Sequence, residues 1–170
     1  DIGIYLGMVA GIGGLLGTLT GGLLADRLAN RTGDMRWHLW VPLYSTIAAI
    51  PFFLITFLYM ETGMGAILSW SIPVFVGGMY LGPCISMTHH LVGMRMRALA
   101  SAILFFVLNL IGLGLGPWIT GIISDLLRPE FGDESIRYAL AGMVFVNAWC
   151  AIHYYNASRS LRVDLARAPD

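Results

Sequence analysis

Lysine is absent from this chain, and charge of either sign is scarce. Arg, Asp and Glu make up 12% of the 170 residues, about half the share usual in a soluble domain. A soluble fold of this length has too little interior to hide the rest. The hydrophobic share is 57% and the mean hydropathy is +0.74, which leaves an integral membrane protein in contact with the lipid bilayer. Every basic residue is arginine, in short clusters rather than in the stripe that nucleic acid requires. Cysteine is nearly absent too. Cys84 and Cys150 sit inside apolar runs, with no spacing for a metal site or a disulfide. They read as small buried hydrophobes, and neither a metal nor a cofactor is expected. The chain begins inside an apolar run without an initiator Met, so an N-terminally truncated piece of a longer protein is expected.

What the sequence has instead is long uncharged runs. The longest lies between Arg97 and Asp125 and exceeds the ~20 apolar residues needed to cross a bilayer core. Charges and breaks divide the chain into five such spans, about 2–25, 37–60, 66–88, 98–124 and 136–157, followed by a polar tail at 159–170. The expected class is all-α and polytopic. The 98–124 span carries Asn109 near its middle, then Gly112, Gly114, Gly116 and Pro117. A simple anchor needs neither a mid-depth amide nor a glycine–proline break, and polar groups in lipid tend to face a bundle interior or a water-filled path.

Other spans carry similar irregularities. Gly3, Gly7, Gly11, Gly14, Gly17 and Gly21 recur every three or four residues in the first span, which sets them along one helix face. Such a face lets helix backbones touch, either as static packing or dimerisation, or as a sliding surface in a protein that changes shape. The third span contains Pro73, Gly77, Gly78, Gly82 and Pro83, the composition of a bent, cavity-lining helix. A polar loop, ADRLANRTGDMRWH, is expected at 25–38, and the fifth span ends in His153, Tyr154 and Tyr155, which suit a membrane interface. Arginine counting sets the orientation. Arg27, Arg31, Arg36, Arg95, Arg97, Arg159, Arg162 and Arg167 fall on one side, and only Arg128 and Arg137 on the other. The first side is therefore read as cytoplasmic, with the N-terminus outside and the C-terminus inside.

The residues Gly22-Leu23-Leu24-Ala25-Asp26-Arg27, then Arg31, resemble the G-x-L-A-D-R-x-G-R-R signature of the major facilitator superfamily. Ala29 stands where that signature has its second glycine and Asn30 where it has a basic residue, a degradation that favours the copy between helices eight and nine. From Tyr80 to Ala141, LGP, MRALASAILFFVLNLIGLGLGP, GIISDLL and SIRYAL are similar to the C-terminal part of the spinster-like branch. The resemblance covers nearly the whole chain and its spinster-like detail the second half. It implies that the five spans are helices eight to twelve, most of the C-terminal six-helix half of a secondary active carrier. The N-terminal half of the same polypeptide is then missing. It also implies a lipid-like or amphipathic substrate and a coupling ion whose carboxylate lies outside this chain. The first, third and fourth spans would line the path, and the second and fifth would face lipid. Gly22, Asp26, Arg27 and Arg31 would form a cytoplasmic gate.

Asn109 is the leading substrate-path candidate. The alternative is an interhelical hydrogen bond, worth ~0.6–2 kcal/mol in lipid. Tyr5, Trp70, Tyr80 and Trp118 could contact an amphipathic substrate or serve as packing and interface aromatics. Gly112, Gly116, Pro117, Pro73 and Pro83 are helix-break and packing positions. His89 and His90 fall at the cytoplasmic end without an acid nearby in sequence, and no nucleophile–base–orienter group is visible, so an enzyme is not expected. A receptor or sensor built on a carrier-like fold is the remaining alternative, since fold does not fix function.

Overall fold

The computed structural model describes residues 2–169. All regular structure among them is helical: α1 (Ile2–Thr32), α2 (Trp37–Tyr59), α3 (Gly63–Gly78), α4 (Leu81–His90), α5 (Arg97–Val107), a π-helical segment (Leu108–Leu115), α6 (Gly116–Phe131), α7 (Ser135–Met143) and α8 (Phe145–Arg167). Four continuous runs are long and apolar enough to cross a membrane: Ile2–Thr32, Trp37–Tyr59, Gly63–His90 and Met94–Arg167. The last spans 74 residues and folds back on itself. Ser124 and Ser135 bring their hydroxyl oxygens within 3.0 Å, although eleven residues of straight helix would separate them by ~16 Å. Gly132 makes the reversal at φ +56°, a left-handed value that glycine adopts without steric cost. Its N–H caps α6 on the Arg128 carbonyl.

The helices run past the apolar spans. The expected polar loop at 25–38 is helical as far as Thr32, and the chain turns only at Gly33, φ +67°. At 31 residues α1 is ~46 Å long, against a ~30 Å bilayer core, so its last turns project beyond the lipid. Likewise the tail is not separate from the fifth span, because α8 continues through Arg167. The third span is two helices, broken at Met79 and Tyr80, and the fifth is broken at Val144. Asp170 lies outside the described residues.

In the packing, α2 is the central helix, set against α1, α3, α4, α7 and α8. The resemblance placed it toward lipid, but within this chain it is the most enclosed element. Pro42, Pro73 and Pro83 are all fully buried. Their rings are thus enclosed by neighbouring helices. The glycine face of α1 works over half its length. A methyl group on Gly17 or Gly21 would overlap the carbonyl oxygen of Phe75 or Met79, and one on Gly82 would lie 2.6 Å from the Thr18 carbonyl. Around Gly3, Gly7 and Gly11 the space is open. At the far end of α2, Arg137 donates from Nε to the Phe57 carbonyl at 2.9 Å and from a terminal nitrogen to the Met60 carbonyl at 2.8 Å. Those are orphan acceptors of a helix C-terminus, where a cation is also favoured by the helix dipole.

Candidate functional site

Polar and aromatic side chains gather in three places. The first is the end where α1, α2, α4 and α8 meet. There Asp26 Oδ1 lies 3.0 Å from His38 Nε2, and the Met35 carbonyl lies 3.3 Å from Nδ1. His38 is 2% exposed, whereas the Asp26 side chain is 60% exposed. Both ring nitrogens lie within hydrogen-bonding distance of an oxygen. The His90 ring stands edge-on to that of His38 at 6.4 Å, and His89 Nε2 is 2.7 Å from the Ser101 hydroxyl. Gly22 faces Gly82 of α4 across the helix contact, while Arg27 and Arg31 are exposed.

Beside this pair, Asp34 holds the α1–α2 turn together. Its carboxylate accepts from the Arg36 backbone N–H at 3.1 Å and from Arg36 Nε at 2.9 Å. It also accepts from Arg162 of α8 at 2.8 Å. The Arg36 guanidinium, with Arg162 behind it, holds the Asp34 carboxyl well below the usual carboxylate range, and the carboxylate in turn raises the pKa of Arg36. A depressed carboxylate contributes its stability above its unfolded value and loses it only as pH falls toward the folded one. The tie therefore persists at all physiological pH and gives way only in strong acid. Arg36 also lies over the Trp40 ring at 4.6 Å, a cation–π contact.

The second place is a cavity of about 400 Å³ between α2, α3 and α8, into which Thr46, Phe53, Tyr80, Asn147 and Tyr154 project. The third is the outer face of α5, the π segment and α6, in which no residue is buried. Asn109 lies on that face and donates from Nδ2 to the Phe105 carbonyl of its own helix at 2.7 Å.

The five path candidates do not converge. Tyr80 is in the cavity, and Asn109 and Trp118 are on the open face. Tyr5 lines a groove between α1 and α3, and Trp70 lines another that also contains Arg137. Gly112 meets nothing within 4 Å, Gly116 only the Ile111 carbonyl of its own helix, and Pro117 is exposed. These therefore lie where π-helical turns pass into α-helical ones, without packing against another helix, unlike the buried Pro73 and Pro83.

No family model matches the chain. It is similar to an MFS-type efflux pump. That relative, from Mycolicibacterium smegmatis, is 35% identical over 169 residues, which is 97% of this chain and 38% of the relative. The chain thus spans well under half the length of the curated relative it matches. The likeness runs over nearly the whole of this chain, and four of its helical runs are long and apolar enough to cross a membrane.

Several residues at these sites carry little sequence signal. His38 reads as the opening of an apolar span, and Asp34 and Arg162 are 128 positions apart. Tyr154 reads as an interfacial aromatic, yet it is half-buried, with its hydroxyl 3.6 Å from Cys84 Sγ. Asn147 did have a signal: like Asn109, it is an amide inside an apolar span.

Proposed function

We propose that this chain is the C-terminal part of a major facilitator carrier that moves an amphipathic organic molecule across the membrane by alternating access. The observation that carries the reading is the 35% identity to an efflux pump over nearly the entire chain. The spinster-like motifs from Tyr80 onward favour a lipid-like substrate within that class. The five-span reading rests on the reversal at Gly132, which divides the 74-residue run into two arms. On this reading the five spans are helices eight to twelve, the arginine-rich ends are cytoplasmic, and the exposed face of α5–α6 meets the N-terminal half of the same polypeptide. The gate is Gly22, Asp26, Arg27 and Arg31.

The deciding experiment is flux. The full-length protein, reconstituted in vesicles, is expected to move a fluorescent amphipathic dye down a gradient at a rate well above that of empty vesicles. A protein that binds the dye with no flux would be a receptor or sensor instead. Topology has its own check: reporters after Arg36 and after Arg95 are expected to read cytoplasmic, and one at Gly132 external. A cytoplasmic signal at Gly132 would overturn the five-span arrangement.

Asn109→Leu is expected to leave insertion intact, because leucine is favourable in lipid, and to lower flux several-fold. Its side chain bonds only within its own helix, so packing loses little. Unchanged flux at normal expression would remove Asn109 from the path.

A further inference from the structure

We propose that the cavity between α2, α3 and α8 is a binding site for the uncharged, apolar body of an amphipathic small molecule. The substrate class rests on the carrier reading above; the site itself stands on geometry. At about 400 Å³ the cavity lies within the ~300–1,000 Å³ of small-molecule sites. Its walls are apolar, with Phe53 and Val74 prominent, and none of its lining residues is charged. Polar residues line it from separate elements: Thr46 from α2, Tyr80 from the α3–α4 break, Asn147 and Tyr154 from α8, with the Asn147 amide nitrogen donating to the Val144 carbonyl and the Tyr154 hydroxyl beside Cys84. An apolar chamber with a few hydroxyl-bearing residues and an amide in its wall suits a ring system or branched hydrocarbon bearing one or two neutral hydrogen-bonding atoms. A charged headgroup would find no counter-ion there.

Helix irregularities surround this chamber. Tyr80 sits in the break between α3 and α4, Asn147 follows the break at Val144, and Leu108 opens the π segment. A regular bundle would close this space with side chains at native density. Tyr154 is held from behind by the Cys84 contact, which makes it a fixed wall. Tyr80 and Gly78 line not only this cavity but also the groove against α1, with Gly14 and Thr18. Tyr80 therefore stands between this cavity and a groove along the glycine helix. Cys150 at the rim is exposed, so the chamber is reachable from outside the bundle.

Photolabelling of the full-length protein with benzophenone tests the site. This probe is neutral, carries one acceptor, and reports position without any need for transport. Cross-links are expected to concentrate on peptides containing Thr46 and Asn147–Tyr154. Gly77→Leu should cut that labelling at least fivefold. A Cβ on Gly77 meets only the Phe53 ring, at 4.0 Å, so a side chain can start there without overlapping backbone, and the leucine is expected to fill the chamber. Asn147→Leu, which removes the amide while keeping the branching and heavy-atom count of the side chain, is the second variant and should lower labelling at least twofold. Labelling spread evenly over exposed α5 and α6, or insensitive to both variants, would overturn the site. Labelling that concentrates in the chamber of a protein with no flux would uphold the site and defeat the carrier reading alone.

Discussion

Valine at Gly21 is expected to eliminate most of the folded protein, whereas valine at Gly7 is expected to leave its amount unchanged. The two glycines belong to the same row and have the same sequence spacing. Their surroundings differ. A Cβ at Gly21 would overlap the Met79 carbonyl oxygen and crowd the Met79 Cα, and at Gly17 it would overlap the Phe75 carbonyl and approach Gly78. These are backbone atoms, so no rotamer change relieves the overlap and α1 must lift off α3 and α4. Overpacking usually costs ~1–3 kcal/mol where side chains can shift, and here the cost should exceed that range. The α1–α3 contact is the broadest in the chain, and Thr18 adds a hydrogen bond to the Gly78 carbonyl at 3.4 Å. Chromatography of the detergent-extracted full-length protein would show the loss. Gly7→Val serves a second purpose. Its site is open in this chain, so a variant that folds normally but transports several-fold more slowly would show that the outer row slides against another part of the polypeptide. Normal flux would assign the row to packing alone.

The second large effect is expected at Asp26, with opposite signs for two substitutions. On the gate reading, the Asp26 carboxylate docks on a helix N-terminus of the opposite half and holds the cytoplasmic side shut. Such a contact is worth about 0.3–1 kcal/mol, and up to ~2 when partly buried. Carrier states differ by only a few kcal/mol, so its loss shifts their ratio several-fold to ~30-fold. Here Asp26 also contacts His38 at 3.0 Å, and the two partners compete for one carboxylate. Asp26→Asn retains an acceptor for the buried imidazole but removes the charge. It should increase labelling, from the cytoplasmic side, of a cysteine placed in the central cavity. His38→Leu frees the carboxylate for the latch and should decrease that labelling. Removing His38 also avoids leaving a buried polar group unpaired, a cost of ~1–3 kcal/mol. Equal labelling in parent and both variants, at equal expression, would reduce the pair to a structural tie.

Sequence patterning made the apolar runs, the helical class and the helix-breaking positions legible, because hydropathy and proline act over a few consecutive residues. Contacts across the bundle were not legible. All six glycines of the first span look alike, and only the crossing of α3 decides that Gly17 and Gly21 are occupied while Gly7 is free. Polar residues at the ends of spans read as solvated loop, yet residues 25–32 are helical. Charge cannot show that a helix outlasts the membrane. His38 and Arg162 were missed for a related reason: their partners lie on other helices. Asn109 was found by its position alone, but whether its amide turns inward or stays with its own helix depends on local backbone geometry.

That geometry is the π segment. Over Leu108–Leu115 the backbone makes wider turns than an α-helix and so absorbs surplus chain. Helical phase is the quantity at stake. In an ordinary α-helix, deleting one residue rotates everything downstream by roughly 100°, which would swing Trp118, Ser124 and the Gly132 reversal out of place. In this stretch a deletion at Gly112, whose Cβ position is empty, can be taken up by tightening the turns toward α-helical pitch. The downstream arm then stays in phase, with Ser124 still opposite Ser135. The π segment is thus a reserve of slack, placed between two arms that must each keep their bearing.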